Sequence, residues 1–483
     1  VSPDVTARGK RPGWTFAITS TAVFMTSLDN LVVTMALPTI RAHLHASLGG
    51  LEWTISAYTL TFAALLLTGS TLGERFGRRR FFVAGLAVFT LGSAAAALAP
   101  SIDVLVAARA AQGIGSAIVT PLTLTLIARA VPLERRAMAL GAWGAIGGLA
   151  VALGPVVGGA IVESASWQWI FWLNVPIGLA LVPLAYARLD ESSGAAERLD
   201  LGGLALASSG LFGVVFALVR TTSLGWGTPE VFTPLAAGSL LLVCFALHER
   251  RTPSPMLPLR LFRSRGFTAS NVASMLMSFG MFGSIFLLAQ FLQIVQHYSP
   301  LSAGLRTLPW TAMPMFVAPF AGLVTQRIGG RPVLATGLAL QALGLAWLAA
   351  IASPTVTYAG LVPAFLLNGV GMALFFAPMA STVLGSVGRH EEGIASGVNN
   401  AIRELGGVLG VAVLASVFSS SGSYASGHAF VHGLVPAVFA GAGVVGVAVI
   451  AALTIPSLRR PGQVYLGAGT DGLYLDEAPQ PVA

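Results

Sequence analysis

Asp29 is the only ionisable residue in TFAITSTAVFMTSLDNLVVTMALP, residues 15–38, a stretch long enough to cross a bilayer. An acid at that depth is costly, so its default reading is functional, and the chemistry open to it is to take and release a proton. Arg109, in ARAAQGIGSA (108–117), is the cation best placed to answer it. With the first span ending near Pro38, Asp29 lies about 13 Å below the outer end; the fourth span starts near Val104, which puts the Arg109 backbone about 7 Å deep. A long side chain covers most of that difference, so the two can meet, directly or through water. Burial disfavours the carboxylate and a guanidinium favours it, a balance that lets a proton come and go. A second charged pair, Arg403 and Glu404, falls about ten residues beyond Glu392, roughly 15 Å in from the other membrane face. Glu404 is either a second protonation site or a structural partner, for Arg403 or for the basic loop GERFGRRR (73–80).

Other chemistries are excluded or weakly indicated. Lys10 is the only lysine, which rules out a Walker A site and ATP hydrolysis on this chain, and Cys244 is the only cysteine, which rules out an internal disulfide or a cysteine metal cluster. No metal, cofactor or catalytic residue is expected, and the chain is not expected to be an enzyme. GAGVVG (441–446) spells a dinucleotide fingerprint but lies within an apolar span with no strand before it, so helix packing explains it. His43 and His45 fall near the first outer loop and read as exposed loop residues rather than pH sensors.

The elements that must hold these residues are membrane helices. Hydrophobic residues make up 55% and charged residues only 10% of the chain, and the mean hydropathy is +0.79, the composition of a polytopic all-α membrane protein. The formal charge of +8 would suit a nucleic-acid binder only if a soluble basic face existed, and no long polar segment can form one. The first apolar run is helix-length and carries no small-residue cleavage site, so it is expected to stay in the membrane rather than act as a cleaved signal. Fourteen windows can cross: 14–38, 53–73, 81–100, 104–128, 138–162, 169–187, 201–219, 231–248, 267–294, 303–325, 332–352, 358–384, 394–418 and 433–456. With both termini cytoplasmic, 22 of the 27 basic residues fall in cytoplasmic segments and only Arg41 and Arg220 outside, which fixes the orientation. The excess of arginine is therefore a topology signal.

The chain also repeats itself. GERFGRRR (73–80) recurs as TQRIGGRP (325–332) at an offset of 252; QGIGSA (112–117) recurs as NGVGMA (368–373) at 256; Gly141 and Gly154 meet Gly397 and Gly410 at 256. Spans 2, 4 and 5 thus correspond to 10, 12 and 13, so spans 1–6 and 9–14 form equivalent six-helix bundles and spans 7 and 8 are an inserted pair. The expected divisions are a cytoplasmic segment 1–13, an N-terminal bundle 14–187, the inserted pair with its cytoplasmic linkers 188–266, a C-terminal bundle 267–456 and a polar, disordered cytoplasmic tail 457–483.

Three motifs add mechanism. In STLGERFGRRR (70–80), Glu74 beside Arg75, Arg78, Arg79 and Arg80 can build a charge network at helix ends, with Gly77 permitting the turn. In GGLAVALGPVVGG (147–159), Pro155 removes a helix hydrogen bond while Gly154, Gly158 and Gly159 let another backbone approach. WQWIFWLNVPIG (167–178) places aromatics at the outer interface. With LDNLVVTMALP in the first span and R-x-x-Q-G-x-G in the fourth, these segments resemble the signatures of the drug:proton antiporters of the major facilitator superfamily, and the extra helix pair resembles their fourteen-helix group. Ser70 stands where that family usually has Gly, Glu74 where it has Asp, Ala150 where the antiporter motif has its first Gly, and Glu404 where Arg-Gln is common.

The resemblance implies a major facilitator fold, alternating access and proton-driven efflux of drug-like or antibiotic small molecules across a bacterial cytoplasmic membrane, by a monomer in the bilayer. It implies Asp29 and Arg109 as the coupling pair, with protons as the coupling ion and no other cofactor. It implies a cytoplasmic gate of Ser70, Glu74, Arg75, Gly77, Arg78, Arg79, Arg403 and Glu404, and Gly154, Pro155, Gly158 and Gly159 as the antiporter helix. Tyr58, Gln112, Trp143, Phe286, Gln290, Trp310, Phe365, Asn368 and Asn399 are expected to line the substrate cavity, a mix suited to large, partly apolar compounds. Span 10 holds no acid past its start, which favours neutral or monocationic cargo. A proton-coupled importer on the same fold is the alternative; a dedicated self-resistance exporter and a broad multidrug pump are both compatible.

Overall fold

A computed structural model describes residues 12–193, 200–253, 255–388 and 391–456. The expected terminal segments fall almost wholly outside these residues, and with them Arg8, Lys10, Arg11, Arg198, Arg389, Arg459 and Arg460. In chain order the helices are α1 (Pro12–Leu44), α2 (Leu48–Phe76), α3 (Arg78–Ala97), α4 (Ile102–Ala130), α5 (Leu133–Ser164), α6 (Trp169–Trp172), α7 (Asn174–Arg188), α8 (Leu201–Leu224) and α9 (Pro229–Glu249). They continue as α10 (Arg265–Gln290), α11 (Pro300–Arg306), α12 (Leu308–Thr311), α13 (Met313–Ile328), α14 (Gly330–Ile351), α15 (Tyr358–Leu384), α16 (Glu392–Ser421) and α17 (Gly427–Leu453). A chain this apolar must satisfy its backbone polar groups within each helix, and short polar links start the next one. Ser47, Ser101, Asp200, Ser264, Ser299 and Ser426 each accept a hydrogen bond from a backbone N–H in the first turn that follows.

Thirteen helical runs among the described residues are long and apolar enough to cross a membrane, which makes this a multi-pass membrane protein. The expected second span, within α2, is not among the thirteen; α2 has 29 residues, and its first half carries the buried polar side chains of Glu52, Thr54, Ser56 and Thr59. The expected tenth span is not one helix. It breaks at Thr307 and Ala312 into α11, α12 and α13, because Pro309 and Pro314 each lack the N–H that would continue the helix.

α1 packs on α5, α2 and α3 on α4, and α3 on α7; likewise α10 packs on α16 and α17, α14 on α15 and α17, and α13 on α15. The two groups meet where α2 crosses α16 and where α5 crosses α11, two contacts that the internal repeat exchanges. α8 and α9 pair with each other, and α8 fills the seam against both α2 and α16.

The repeated glycines make equivalent contacts. A methyl on Gly113 would lie 2.3 Å from the Tyr58 carbonyl oxygen of α2, and one on Gly369 would lie 2.7 Å from the Trp310 carbonyl oxygen of the broken tenth span. Gly154 closes on Leu31 of α1 just as Gly410 closes on Phe279 of α10, its first-helix counterpart. Backbones this close tolerate nothing larger than glycine, so the repeat records packing rather than chance composition.

Candidate functional site

Asp29 is buried on α1 and meets donors from two other helices. Its Oδ2 accepts from Arg109 Nη1 of α4 at 2.5 Å, and its Oδ1 accepts from Gln112 Nε2 of α4 at 3.0 Å and Asn174 Nδ2 of α7 at 2.7 Å. Ser93 of α3 accepts from Gln112 Nε2 at 2.6 Å and from Asn174 Nδ2 at 3.4 Å, which turns both amides toward the carboxylate. Arg109 is fixed in turn: Nη1 also donates to Gln112 Oε1 at 2.9 Å, Nε donates to the Thr54 carbonyl of α2 at 3.1 Å, and the guanidinium lies 4.4 Å from the Tyr58 ring centroid. Nη2 has no hydrogen-bond partner among the described residues. Tyr58 is anchored by donating to Ser116 Oγ at 2.9 Å. A buried ion pair with its remaining lone pairs answered by amides is the geometry that repays desolvation, and it depends on the acid being ionised. Adding a proton to Asp29 would leave Arg109 a buried cation without its counter-charge.

The structure thus brings Asp29 and Arg109 together and adds Ser93 and Asn174, which sequence reasoning passed over. Asn174 sits in the WLNVPIG segment that was read for its aromatics; an amide just inside an apolar span was the available signal. Ser93 gave none.

Several residues expected to line a substrate cavity are placed elsewhere. Gln112 and Tyr58 belong to the Asp29 network inside the first bundle. Phe286, Gln290, Trp310, Phe365 and Asn368 are buried in helix packing: Gln290 accepts from the Tyr424 hydroxyl, Asn368 donates to the Ala364 carbonyl, and Trp310 packs against Phe365. Period and composition mark them as interior but do not say which neighbour they face. Asn399 does line a cavity, of about 110 Å³, with Ser274, Phe376, Met379, Asn400 and Arg403. Trp143 is half-buried on α5.

Of the gate residues, Glu74 and Arg78 form a two-point ion pair, with Arg78 Nε donating to Glu74 Oε1 at 2.7 Å. The partner of the loop is Glu191, just after α7 in the same bundle. Its carboxylate lies 3.6 Å from both Arg79 Nε and Arg80 Nε and accepts from the Arg79 backbone N–H at 3.1 Å. Gly77 has φ +107°, a conformation that favours glycine, and a methyl there would lie 2.7 Å from Glu191 Oε1. Arg75 stacks near Phe76. The side chain of Ser70 lies outside the described residues. Arg403 pairs with Glu404 at 3.2 Å and not with the loop, and Glu404 Oε2 has no hydrogen-bond partner among the described residues.

The two bundles are closed on each other at the end away from this arginine-rich loop. There Arg41 of α1 lies 3.5 Å from the ring centroid of Tyr424, Gln293 Nε2 donates to the Met35 carbonyl at 3.0 Å, and the Leu301 N–H donates to Glu163 Oε2 at 3.0 Å. Gly159 and Gly304 bring α5 and α11 to backbone contact, with a methyl on Gly159 falling 2.3 Å from the Pro300 carbonyl oxygen. At the arginine-rich end the same helix α5 is unencumbered, with nothing within 4 Å of a methyl on Gly144, Gly147 or Gly148. Phe316, Phe320 and Leu323 of α13 stand exposed there.

Comparison with known proteins agrees with this architecture. The family model described as Major Facilitator Superfamily matches residues 19–411 and again 297–470. The chain is 35% identical over 408 residues to the multidrug resistance protein Stp of Mycobacterium tuberculosis, covering 84% of this chain and 76% of that one. It is 34% identical over 418 residues to the tetracenomycin C resistance and export protein of Streptomyces glaucescens, covering 85% and 76%. Among solved structures, the peptide transporter POT in complex with sulfate superposes with a TM-score of 0.66 at 15% identity, covering 94% of this chain and 97% of that chain.

Proposed function

Because the chain belongs to the Major Facilitator Superfamily, we propose that it exports drug-like or antibiotic molecules across a bacterial cytoplasmic membrane, driven by protons entering through Asp29. Export is supported by the names of its relatives. Coupling is supported by one observation: the acid of α1, its arginine and two amides form a closed network inside the first bundle, and α1 itself also reaches the second bundle through α10 and α11. We assign the arginine-rich end to the cytoplasm from the charge asymmetry, so the conformation described is open inward and closed outward. One proton moving inward gains about 2.3 kcal/mol per 100 mV, enough to sustain a gradient of more than tenfold for a neutral cargo.

In this reading, protonation of Asp29 releases α1 from α4, and deprotonation restores the tie. α1 transmits the change because Leu31 and Val32 seat Gly154 and Gly158 of α5, and α5 is the helix that crosses to the other bundle. The cargo binds beside Asn399 and Arg403, in the cavity lined by α10, α15 and α16 of the second bundle, while the inner side is open.

Transport into inside-out membrane vesicles with an acidified lumen tests direction and driving force together, with tetracenomycin C as trial cargo. Accumulation that collapses with a protonophore is expected. Accumulation only in right-side-out vesicles would mean import instead.

A further inference from the structure

A second carboxyl, that of Glu52 on α2, is fully buried and has no hydrogen-bond or ion-pair partner at either oxygen among the described residues. Resting on the proton-coupled reading above, we propose that Glu52 is a second proton-binding site, one that loads when the outer seam closes and unloads when it opens.

The argument begins with burial. Asp29 has a guanidinium and two amides to hold its charge; Glu52, at the same depth of burial, has no protein donor, and an ionised carboxylate in such a place is far costlier than the neutral acid. Ser56, one turn further along the same face, is also buried with its hydroxyl unpartnered, so no side chain on that face offers compensation.

Its position gives the burial a consequence. Glu52 lies in the second turn of α2, the helix that crosses α16 at the seam, and the same end of the molecule holds the clamp in which Arg41 lies over Tyr424 where the two bundles meet. The clamp is tied further into the second bundle, since the Tyr424 hydroxyl donates to Gln290 Oε1 at 2.5 Å.

The other charges on the helices packed against α2 do not answer Glu52. On α1, Asp29 is held by Arg109, and Arg41 lies over Tyr424. On α4, Arg109 turns to Asp29 and Asp103 stands in the first turn. On α16, Arg403 and Glu404 pair with each other. Arg220, on α8, lies near Phe216. None forms an ion pair with Glu52.

Closing therefore moves a carboxylate out of water, and a proton from the outer solution joins it to give the neutral acid. Opening parts Arg41 from Tyr424, admits water, and returns the proton. The sign follows: a group that must be neutral when closed favours closure at low outer pH and loses that preference as pH rises.

Spin labels on Ala42→Cys and Ala425→Cys, exposed positions on either side of the seam, in a Cys244→Ser background, read the gap by electron-electron distance measurement in nanodiscs without cargo. The wild-type background is expected to shift from short to long distances as pH rises from about 5 to 9, a window that begins just above the ordinary carboxyl value of about 4. Glu52→Gln should stay short throughout, while Glu52→Asp keeps the shift. A Glu52→Gln protein that folds, by monodisperse elution and an unchanged melt, yet opens with pH like the wild type would overturn the proposal; so would a wild-type gap indifferent to pH. The gap is read without transport, so loss of efflux in vesicles with the shift intact would indict the export reading alone.

Discussion

At the scale of the residue, the site is a buried carboxylate both of whose oxygens accept hydrogen bonds. Arg109→Ala removes the only cation, leaving Asp29 as a buried anion; a loss of about 3–5 kcal/mol is expected from such a break. Asp29→Asn combined with Arg109→Ala should recover part of it, because neither charge is then stranded. Thermal melts of the four purified proteins in detergent form the double-mutant cycle that checks this, and additive losses would mean that the pair is not coupled. Sequence reading reached Asp29 and Arg109 because ionisable residues stand out in apolar windows. It did not attach Gln112 to the acid and passed over Asn174 and Ser93, since a neutral amide or hydroxyl in a helix carries no mark of the direction it faces. Glu191, which clamps the arginine loop, follows α7 in a linker where an acid is unremarkable until the fold returns it to Gly77.

At the scale of the element, α5 works as two different surfaces. Its outer half, around Gly158 and Gly159, is pressed against α1 and α11, whereas Gly144, Gly147 and Gly148 face open space. Gly159→Ala should prop the outer seam apart, since its methyl meets backbone that cannot swing aside, at a cost to closure of about 1–3 kcal/mol. Gly147→Ala should be tolerated, with the small gain that alanine brings to a helix. Crosslinking of paired cysteines across the outer seam distinguishes the two: yield should fall for Gly159→Ala and hold for Gly147→Ala, and equal yields would show that the glycine contact does not govern closure. Here the GP-GG pattern was legible because close backbone approach demands glycine in sequence. The tenth span crosses as one run, as its continuous apolar window implies, and the turns at Thr307 and Ala312 inside it leave no mark in that window.

At the scale of the molecule, two bundles meet through α2 on α16 and α5 on α11, with α8 wedged into one of the seams. The repeat offsets pair the helices that make those two contacts, and equivalent glycines do the same packing in each bundle. They could not foretell the asymmetry of function. Asn368 is the counterpart of Gln112, yet it donates to its own helix, and among the described residues no counterpart of the Asp29 network forms in the second bundle. On the proposed reading, the first half couples protons and the second contacts cargo. The most direct test is coupled transport in proteoliposomes containing the wild type or Asp29→Asn, with cargo accumulation and cargo-induced proton movement recorded together. The account predicts that the mutant loses proton-driven accumulation and the proton signal while still binding cargo; undiminished coupled transport by Asp29→Asn would contradict it.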